Sequence, residues 1–296
     1  MFQIARVNAD AWVPEEYGSE VIQTVEQFSA VEAVGRRVNM TSDIQKTPRL
    51  GDVDVVVIPK GGTYPEDNPT LDNVQLDAAK FGDRIIIAEE DLNDANVNVI
   101  VEFQKGWATN YARKFDNACL GTTAVANGTT VPFTSVYKEV GAGVLKTAGA
   151  LTYADLSDVL ATAENGRYFS DVDNVIIAHT SFKGQLRSLV DGNGRPMFIE
   201  QVALGQPQTL FGYEVRFSDG AKTSPVSTWN PSAGNPLLIV GNRKHLIVGD
   251  RSPIESLISF DAGFGTDEPH IKMRTRKAFA VGRKEAFGVV EITAGP

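Results

Sequence analysis

The chain has 296 residues, 42% of them apolar and 22% charged, and a formal net charge of −9, which suffices for one large soluble domain or two ordinary ones. The acidic balance argues against a dedicated DNA-binding protein, because affinity for DNA depends on lysines and arginines that neutralise phosphates. Cys119 is the single cysteine, which excludes an intrachain disulfide, and the sequence lacks both a signal peptide and an apolar run long enough to span a membrane, so we expect a cytoplasmic site of synthesis.

The first predicted elements are an arm and a helix. Residues 1–14 have mixed polarity and no clear period, which is typical of an extended arm. Residues 15–34 repeat apolar side chains at helical spacing. Glu15 and Glu16 would lie at the positive N-terminal end of this helix, and Gly35 is its expected stop.

A long two-stranded ribbon is predicted next. β-branched runs at 53–58 and 83–89 indicate two strands. The residues between them, with a tip at 59–73, are rich in proline and glycine and hold almost nothing that can be buried. A solitary two-stranded ribbon is marginal in water. We therefore expect something else to cover it.

The strongest helical pattern covers residues 97–120, where apolar side chains form one continuous stripe at i, i+3, i+4 spacing. Asp94 near the start and Gly121 at the end are the expected caps. At 1.5 Å per residue, the helix would be roughly 35 Å long. We interpret it as a core helix, on which Cys119 is a packed thiol and not a nucleophile.

The rest of the chain alternates between helices and strands. Residues 121–150 predict a connection, and Thr152 with Asp155 predicts a capping box at the start of a helix over 152–165. Further strands are predicted at 172–179, 211–218 and 235–242, a helix at 180–190, and antiparallel strands in the last forty residues around the turn DAGFGTDEP. The central alternation indicates an α/β unit within a chain of α+β class.

The glycine-rich stretch RSLVDGNGRPMFIE is predicted to be a turn and not a ligand loop. A dinucleotide fingerprint needs a third glycine where Met197 stands, and a calcium loop needs a closing glutamate where Val202 stands. Asn-Gly and Asp-Gly supply the positive φ angles of tight turns. The turn residues are Asp191, Gly192, Gly194 and Pro196.

No catalytic or metal-binding constellation emerges from the sequence. The three histidines lack a partner at metal-ligand spacing, and His179 is interpreted as a structural hydrogen-bonding residue. The pairs Asp52/Asp54 and Asp171/Asp173 would each face one side of a strand, as two-metal chemistry requires. We interpret both pairs as solvated strand ends and turns.

Basic residues cluster late in the chain. Lys272, Arg274 and Arg276 would share one face of a strand. A ladder for phosphates and a set of ion pairs with a neighbouring acidic surface are the two interpretations. The net charge of −9 favours the ion pairs.

An arm, a ribbon, a long helix and an α/β lobe together indicate a protein that assembles with other chains. Four stretches, taken in chain order, resemble the major capsid proteins of tailed bacteriophages of the Hong Kong 97 type. They are WVPEEYGSEVIQTVEQFSAVEAVGRRVNM, TLDNVQLDAAKFGDRIIIAEEDLNDANVNV, RKFDNACLGT, and VIIAHTSFKGQLRSLVDGNGRPMF followed by TLFGYEVRFSD. They cover most of the chain, and the ordered set is more specific than any one of them.

The resemblance implies an α+β, Hong Kong 97-like capsid fold with four parts. These would be an N-terminal arm at 1–14, an extended loop at 38–88, a peripheral domain of 15–37, 89–125 and 250–296 with the spine helix at 97–120, and an axial domain at 126–249. The turn at 191–196 would then join an axial helix to the next segment. The extended loop would reach over a neighbouring subunit.

The resemblance also implies a function. The chain would be a major capsid protein, with no enzymatic activity and no cofactor, that self-assembles into hexamers and pentamers of an icosahedral shell around double-stranded DNA, bound without sequence specificity. It would assemble in the host cytoplasm, with a portal and a decoration protein as further partners. Met1 lies only a few residues before the arm, so if Met1 is the native start, the resemblance implies either a separate scaffolding protein or none. The predicted inter-subunit contacts are Trp12, Lys60, Tyr64, Glu66, Asp67, Arg274 and Arg276.

The sequence also bears on one covalent crosslink and on two alternative functions. Some members of the resembled family form a Lys–Asn isopeptide bond, for which Lys60 would be available, but the turn at 261–270 offers no asparagine, so we predict no crosslink. An encapsulin-like nanocompartment shell would share the fold and hold an enzyme cargo. A carboxylate-dependent enzyme using one Asp-x-Asp pair is the third hypothesis.

Overall fold

The computed structural model describes residues 28–51, 53–67, 69, 71–94, 98–190, 195, 198–199, 208–263 and 265–293. Its helices are α1 (Ala30–Val34), α2 (Glu89–Asp94), α3 (Val99–Leu120), α4 (Val136–Val140), α5 (Tyr153–Glu164) and α6 (Phe182–Ser188). Its strands are β1 (Arg36–Asn39), β2 (Ile44–Leu50), β3 (Leu71–Asp77), β4 (Ala79–Ile86), β5 (Val144–Ala148), β6 (Asn174–Ala178), β7 (Phe198–Ile199), β8 (Thr209–Leu210), β9 (Tyr213–Phe217), β10 (Leu237–Asn242), β11 (Leu246–Ser259), β12 (His270–Val281) and β13 (Phe287–Thr293).

The strands form two sheets and a separate ribbon. The first sheet has the order β1-β11-β12-β4, and the second has the order β5-β13-β10-β6-β9-β8-β7. Among the described strands, β2 and β3 pair only with each other, in antiparallel register from Ile44↔Asp77 to Leu50↔Leu71. The mixture of helices and strands agrees with the α+β class.

The long helix begins and ends close to its predicted limits. α3 covers Val99–Leu120, and Gly121 is its C-cap as expected. The N-cap is Asn98, whose side chain accepts a hydrogen bond from the backbone N–H of Val101. The expected cap Asp94 is instead the last residue of the short acidic helix α2, so that prediction was wrong.

Aromatic rings on α3 join it to the first sheet. Phe115 is fully buried, and its ring centroid lies 6.0 Å from those of Phe81 on β4 and Phe133. Phe133 in turn contacts Phe279 on β12, with centroids 6.3 Å apart. Edge-on and tilted arrangements of this kind add to the gain from burying the rings. The C-terminal half of the predicted stripe therefore forms the core, as expected.

The ribbon differs from the prediction in its first strand. The paired strands are β2 and β3, whereas residues 53–58 belong to no strand and pair with none of the described strands. β-branched residues favour a strand only where a partner and a packing surface exist. The predicted return strand at 83–89 lies within β4 and the start of α2.

The base of the ribbon is supported by its own chain, which the sequence did not indicate. Leu76 on β3 is fully buried in a small cluster with Met40, Ile247 and Ala278. These residues come from the ribbon base and from β11 and β12. Leu76 therefore anchors the ribbon base to its own copy, whereas Ile44, Leu50 and Leu71 on β2 and β3 stay exposed, as do the valines beyond them.

The α/β lobe agrees with the predicted alternation. The predicted elements at 152–165, 172–179, 180–190, 211–218 and 235–242 correspond to α5, β6, α6, β9 and β10. The connection at 121–150 also contains α4 and β5, which were not predicted. The turn residues Asp191, Gly192, Gly194 and Pro196 lie outside the described residues.

The last strand, β13, belongs to the second sheet, where it lies between β5 and β10. From the sequence, we placed residues 250–296, and β13 with them, in the peripheral domain that contains the long helix. Residues 287–292 are buried without alternation, which is typical of a central strand covered on both faces. Of the helix predicted over 15–34, residues 28–34 are described. Ala30–Val34 form α1 with Gly35 as its C-cap as predicted, but the helix begins only after its extended N-cap Ser29, so the predicted helix does not include residues 28–29.

The capping box of α5 gives a first test of the fold. The Thr152 hydroxyl accepts from the Asp155 N–H at 3.3 Å, and the Asp155 carboxylate accepts from the Thr152 N–H at 2.9 Å. Thr152→Ala should lower the free energy of unfolding by about 1 kcal/mol, measured by urea denaturation. The exposed Thr63, replaced by alanine, is the control. Equal stabilities of the two variants would contradict the role assigned to this cap.

Candidate subunit interface

Exposed apolar side chains concentrate at the end of the ribbon, which we define as residues 51–70. Within it, residues 53–58 form what we call the valine run. Val55 is 88% exposed and Val57 is 94% exposed. A contiguous apolar patch of this kind on a folded protein is typical of an interaction site.

The predicted contacts at the ribbon end lie together in the structure. Lys60, Tyr64, Glu66 and Asp67 are all exposed in this segment. The Asp67 carboxylate accepts a hydrogen bond of 2.8 Å from the backbone N–H of Asp54, which joins the two legs of the loop. The end of the ribbon therefore presents both acidic and apolar groups.

Three other predicted residues fall elsewhere. Trp12 lies outside the described residues. Arg274 and Arg276 on β12 form ion pairs of 2.8 Å with Glu255 and Asp43 of the same chain. The hydrogen bond from Arg276 lowers the pKa of Asp43 below its ordinary value. The ion-pair interpretation of the basic strand is thus confirmed for both arginines, while their contact with another subunit stays a prediction.

A buried aspartate connects α1, α3 and the end of β9, and sequence reasoning missed it. The Asp116 carboxylate is fully buried and accepts hydrogen bonds from the hydroxyl groups of Ser29 and Ser218, at 2.5 and 2.6 Å. It also accepts from the backbone N–H groups of Ala30 and Val31 at 2.9 and 3.2 Å. Burial raises the pKa of Asp116 to about 6, and these four donors oppose that shift. The only sequence signal was an acidic residue among the apolar residues of a helix.

The next residue connects α3 to the segment after β9. The Asn117 side chain donates to the carbonyl groups of Gly220 and Lys222 at 3.1 and 2.8 Å, and accepts from the Thr228 N–H at 3.2 Å. A Cβ atom at Gly121 would lie 1.9 Å from the Lys222 carbonyl oxygen, so glycine is required there. Asp116 and Asn117 together fix the orientation of the long helix relative to the α/β lobe.

His179 has the structural role that was predicted for it. Its Nδ1 accepts from the Ser181 N–H at 3.1 Å and lies 2.8 Å from the Ser181 hydroxyl. Burial lowers the pKa of His179 to about 4, with Lys222 contributing and Asp219 opposing. The imidazole is therefore neutral in the folded chain over most of the acidic range.

This pKa predicts a pH dependence of stability. Because the unfolded histidine titrates near 6.5, the unfolded chain binds a proton first, and this contribution to stability is lost as the pH falls from about 6.5 to about 4. His179→Gln should remove that loss, so its stability relative to wild type should improve on acidification. Urea midpoints at pH 7 and pH 4.5 measure it, with His270→Gln as control. A constant difference across the pH range would contradict the assignment.

The described residues offer no metal or nucleophile site. They contain no group of three or more His, Cys, Asp or Glu side chains that could hold a metal ion. Asp173 is buried and pairs with Arg243 and Lys244, so the expectation that it would be a solvated strand end was wrong, while Asp52 lies outside the described residues. Cys119 is fully buried, and burial raises the pKa of its thiol. Among the described helices, none is both long and apolar enough to cross a membrane.

Comparison with known proteins connects this architecture to one family. The family model described as the phage capsid family matches residues 10–292. A solved structure from Mycobacterium phage Bobi superposes with a TM-score of 0.75 at 17% identity, over 99% of this chain and 100% of that chain. One from Mycobacterium phage Adephagia gives 0.73 at 16% identity, over 100% of both chains.

A third similar structure is the capsid of a native GTA particle computed with C5 symmetry. Its TM-score is 0.69 at 15% identity, over 99% of this chain and 100% of that chain. At these identities the superpositions show a shared fold. The search of curated proteins found no significant match. The chain therefore belongs to the phage capsid family, whose members are structural shell proteins and not enzymes.

Proposed function

We propose that the chain is the major capsid protein of a tailed bacteriophage, with a Hong Kong 97-type fold, and that it assembles into the hexamers and pentamers of an icosahedral shell around double-stranded DNA. The observation that carries this proposal is the exposed apolar end of the ribbon, on a chain that otherwise buries its core. A surface of that kind gains stability only when another chain covers it.

The shell would form by repetition of weak contacts. A closed point-group symmetry multiplies each contact over many subunits, so that modest pairwise affinities give a stable particle. The similar GTA capsid was computed with C5 symmetry, which supports a pentameric arrangement for this chain too. The net charge of −9 supports loose, non-specific enclosure of DNA, because an acidic protein does not bind phosphates tightly.

The proposed division of the chain follows the two sheets. The arm at 1–14 and the spine helix α3 would have their predicted roles, and the extended loop predicted at 38–88 would be limited to β2, β3 and the residues between them. The first sheet, including β4, would form the peripheral domain with α1 and α3. The second sheet would form the axial domain of 126–249, to which we add β13 because it pairs with β5 and β10.

The proposal includes further partners. A separate scaffolding protein, a portal and a decoration protein would complete the particle. Assembly in the host cytoplasm agrees with a single buried cysteine and no disulfide.

Electron microscopy of the purified protein tests the proposal. We expect closed shells, or rings of five and six subunits, after expression of the chain alone or with its scaffold. Val172→Asp is a control for a charge placed at an exposed apolar position outside the ribbon. Val172 is 83% exposed and distant from the ribbon in sequence, so this variant should still form particles. Shells that retain a folded enzyme as cargo would instead favour the encapsulin-like alternative. Monomers alone in the micrographs, both for the chain expressed by itself and for the chain expressed with its scaffold, would contradict the proposal.

A further inference from the structure

One strand of the first sheet has an open edge. Within the described part of the chain, β4 pairs with β12 on one side and with no strand on the other. An edge strand presents a row of unpaired N–H and C=O groups, which can accept a strand from another chain. Folded proteins normally cover or interrupt such an edge.

The open edge of β4 forms one wall of a groove of about 750 Å³, and α3 forms the other. Phe103, Trp107 and Tyr111 line the groove from α3, and Trp229 lines it from a loop. Phe103 is 40% exposed and Trp229 is 48% exposed. The N-terminal half of the apolar stripe on α3 thus remains partly uncovered. An apolar group entering this groove would bury the exposed rings of Phe103 and Trp229, whereas Tyr111 is already buried.

The valine run has the complementary properties. Residues 53–58 are β-branched at five positions of six, belong to no helix or strand, and pair with none of the described strands. Alternation along a strand would place Val53, Val55 and Val57 on one face. All three are more than half exposed in the isolated chain. Among the described residues, a run with the composition of a strand but no partner therefore occurs together with an unpaired strand edge.

The same alternation would also bring an acidic residue of the valine run close to basic residues of β4. With the three valines facing α3, Asp54 would point to the opposite, outer face of the sheet. On β4 that face carries Lys80 and Arg84, for which the described residues provide no ion pair. The single charge of the valine run would therefore meet basic side chains.

The valine run cannot easily reach the β4 edge of its own copy. The seven residues of β3 separate the ribbon end from β4, about 23 Å at 3.3 Å per residue. Arg49 and Leu50 at the end of β2 bond to Gly282 and Arg283, which lie beyond the end of β12. The ribbon therefore leads away from the groove, and the occupant must come from a second copy.

We propose that residues 53–58 of one copy add as an extra strand to the open edge of β4 in a neighbouring copy, with Val53, Val55 and Val57 in the groove. Backbone hydrogen bonds would supply affinity and the alternate side chains would supply register, as in other cases of strand addition. The inference rests on the proposed function, since it names the surface at which that self-assembly takes place.

Paired cysteines on the outer face test the proposal in assembled particles. Val56→Cys is combined with Lys80→Cys in one variant and with Arg84→Cys in another, because directly opposed residues of adjacent strands lie within disulfide range. After oxidation, we expect at least one pair to give intermolecular dimers on a denaturing gel without reductant. The yield should exceed by about tenfold that of a matched variant with Val172→Cys in place of Val56→Cys, because the contact holds the two thiols at high effective concentration. The native Cys119 is buried and adds no background.

Proline substitution supplies a second readout. Val56→Pro and Val57→Pro each remove one N–H, and adjacent residues point their N–H groups in opposite directions, so at least one variant should fail to assemble while keeping its thermal stability. Val56→Thr and Val57→Thr retain the N–H groups and should assemble. Particles from both proline variants, or normal particles without either crosslink, would overturn the strand addition and leave the capsid function standing. A wild-type chain that never assembles would overturn both.

Discussion

Asp116→Ala should lower the free energy of unfolding by about 3–5 kcal/mol, the range expected when one partner of a buried hydrogen-bonded network is removed. The substitution leaves two hydroxyl groups and two backbone N–H groups without their acceptor, in a region from which water is excluded. It also removes the connection between α1, α3 and the end of β9. Urea denaturation of the unassembled chain, followed by circular dichroism, measures the loss.

The matched control is Asp158→Ala, which removes a carboxylate from an exposed position on α5 and should change stability by less than about 0.5 kcal/mol. The pH dependence of stability distinguishes the contribution of Asp116 from that of His179. Because burial raises the pKa of Asp116 to about 6, the folded chain takes up this proton first, and acidification through pH 6 removes the cost of the buried charge. His179 acts in the opposite direction over the same range. Equal losses in Asp116→Ala and Asp158→Ala would show that the network contributes nothing.

Replacement of residues 51–70 by an Asn-Gly turn should abolish shell assembly and leave the fold intact. Leu50 and Leu71 are directly paired across the ribbon, and a two-residue Asn-Gly loop is suited to join paired positions in a hairpin. The shortened ribbon keeps Leu76 in its buried cluster, so thermal stability should stay close to wild type. The loss should appear as the absence of particles in electron micrographs.

A length-matched variant separates the side chains of the ribbon end from its span. Replacement of residues 51–70 by a glycine-serine segment of equal length keeps the reach of the loop but removes the valine run and the acidic residues. It should also fail to assemble. Normal particles from either variant would show that the ribbon end is not an interface.

The sequence predicted best those elements whose patterns are local. The stripe over 97–120 became α3, and the capping box at Thr152 and Asp155 begins α5, because both depend on residues a few positions apart. The buried strand at 172–179 and the stop at Gly35 follow for the same reason.

The errors concern partners distant in the chain. The run at 53–58 has the composition of a strand but no partner among the described strands, so its propensity alone could not place it. The placement of β13 depends on β5 and β10, which no local pattern identifies. The partners of Asp116 include Ser29 and Ser218, which lie 87 and 102 residues away. The turn residues at 191–196 and Trp12 stay predictions.

Sedimentation velocity of the purified wild-type chain over a wide range of concentration measures most directly whether a single copy is stable without sister copies. If the ribbon end is covered only by sister copies, the protein should sediment as rings or shells, and a monomer should persist only at low concentration. A single species with the sedimentation coefficient of a 32.0 kDa compact monomer at the highest concentration, with or without added scaffold, would contradict the account.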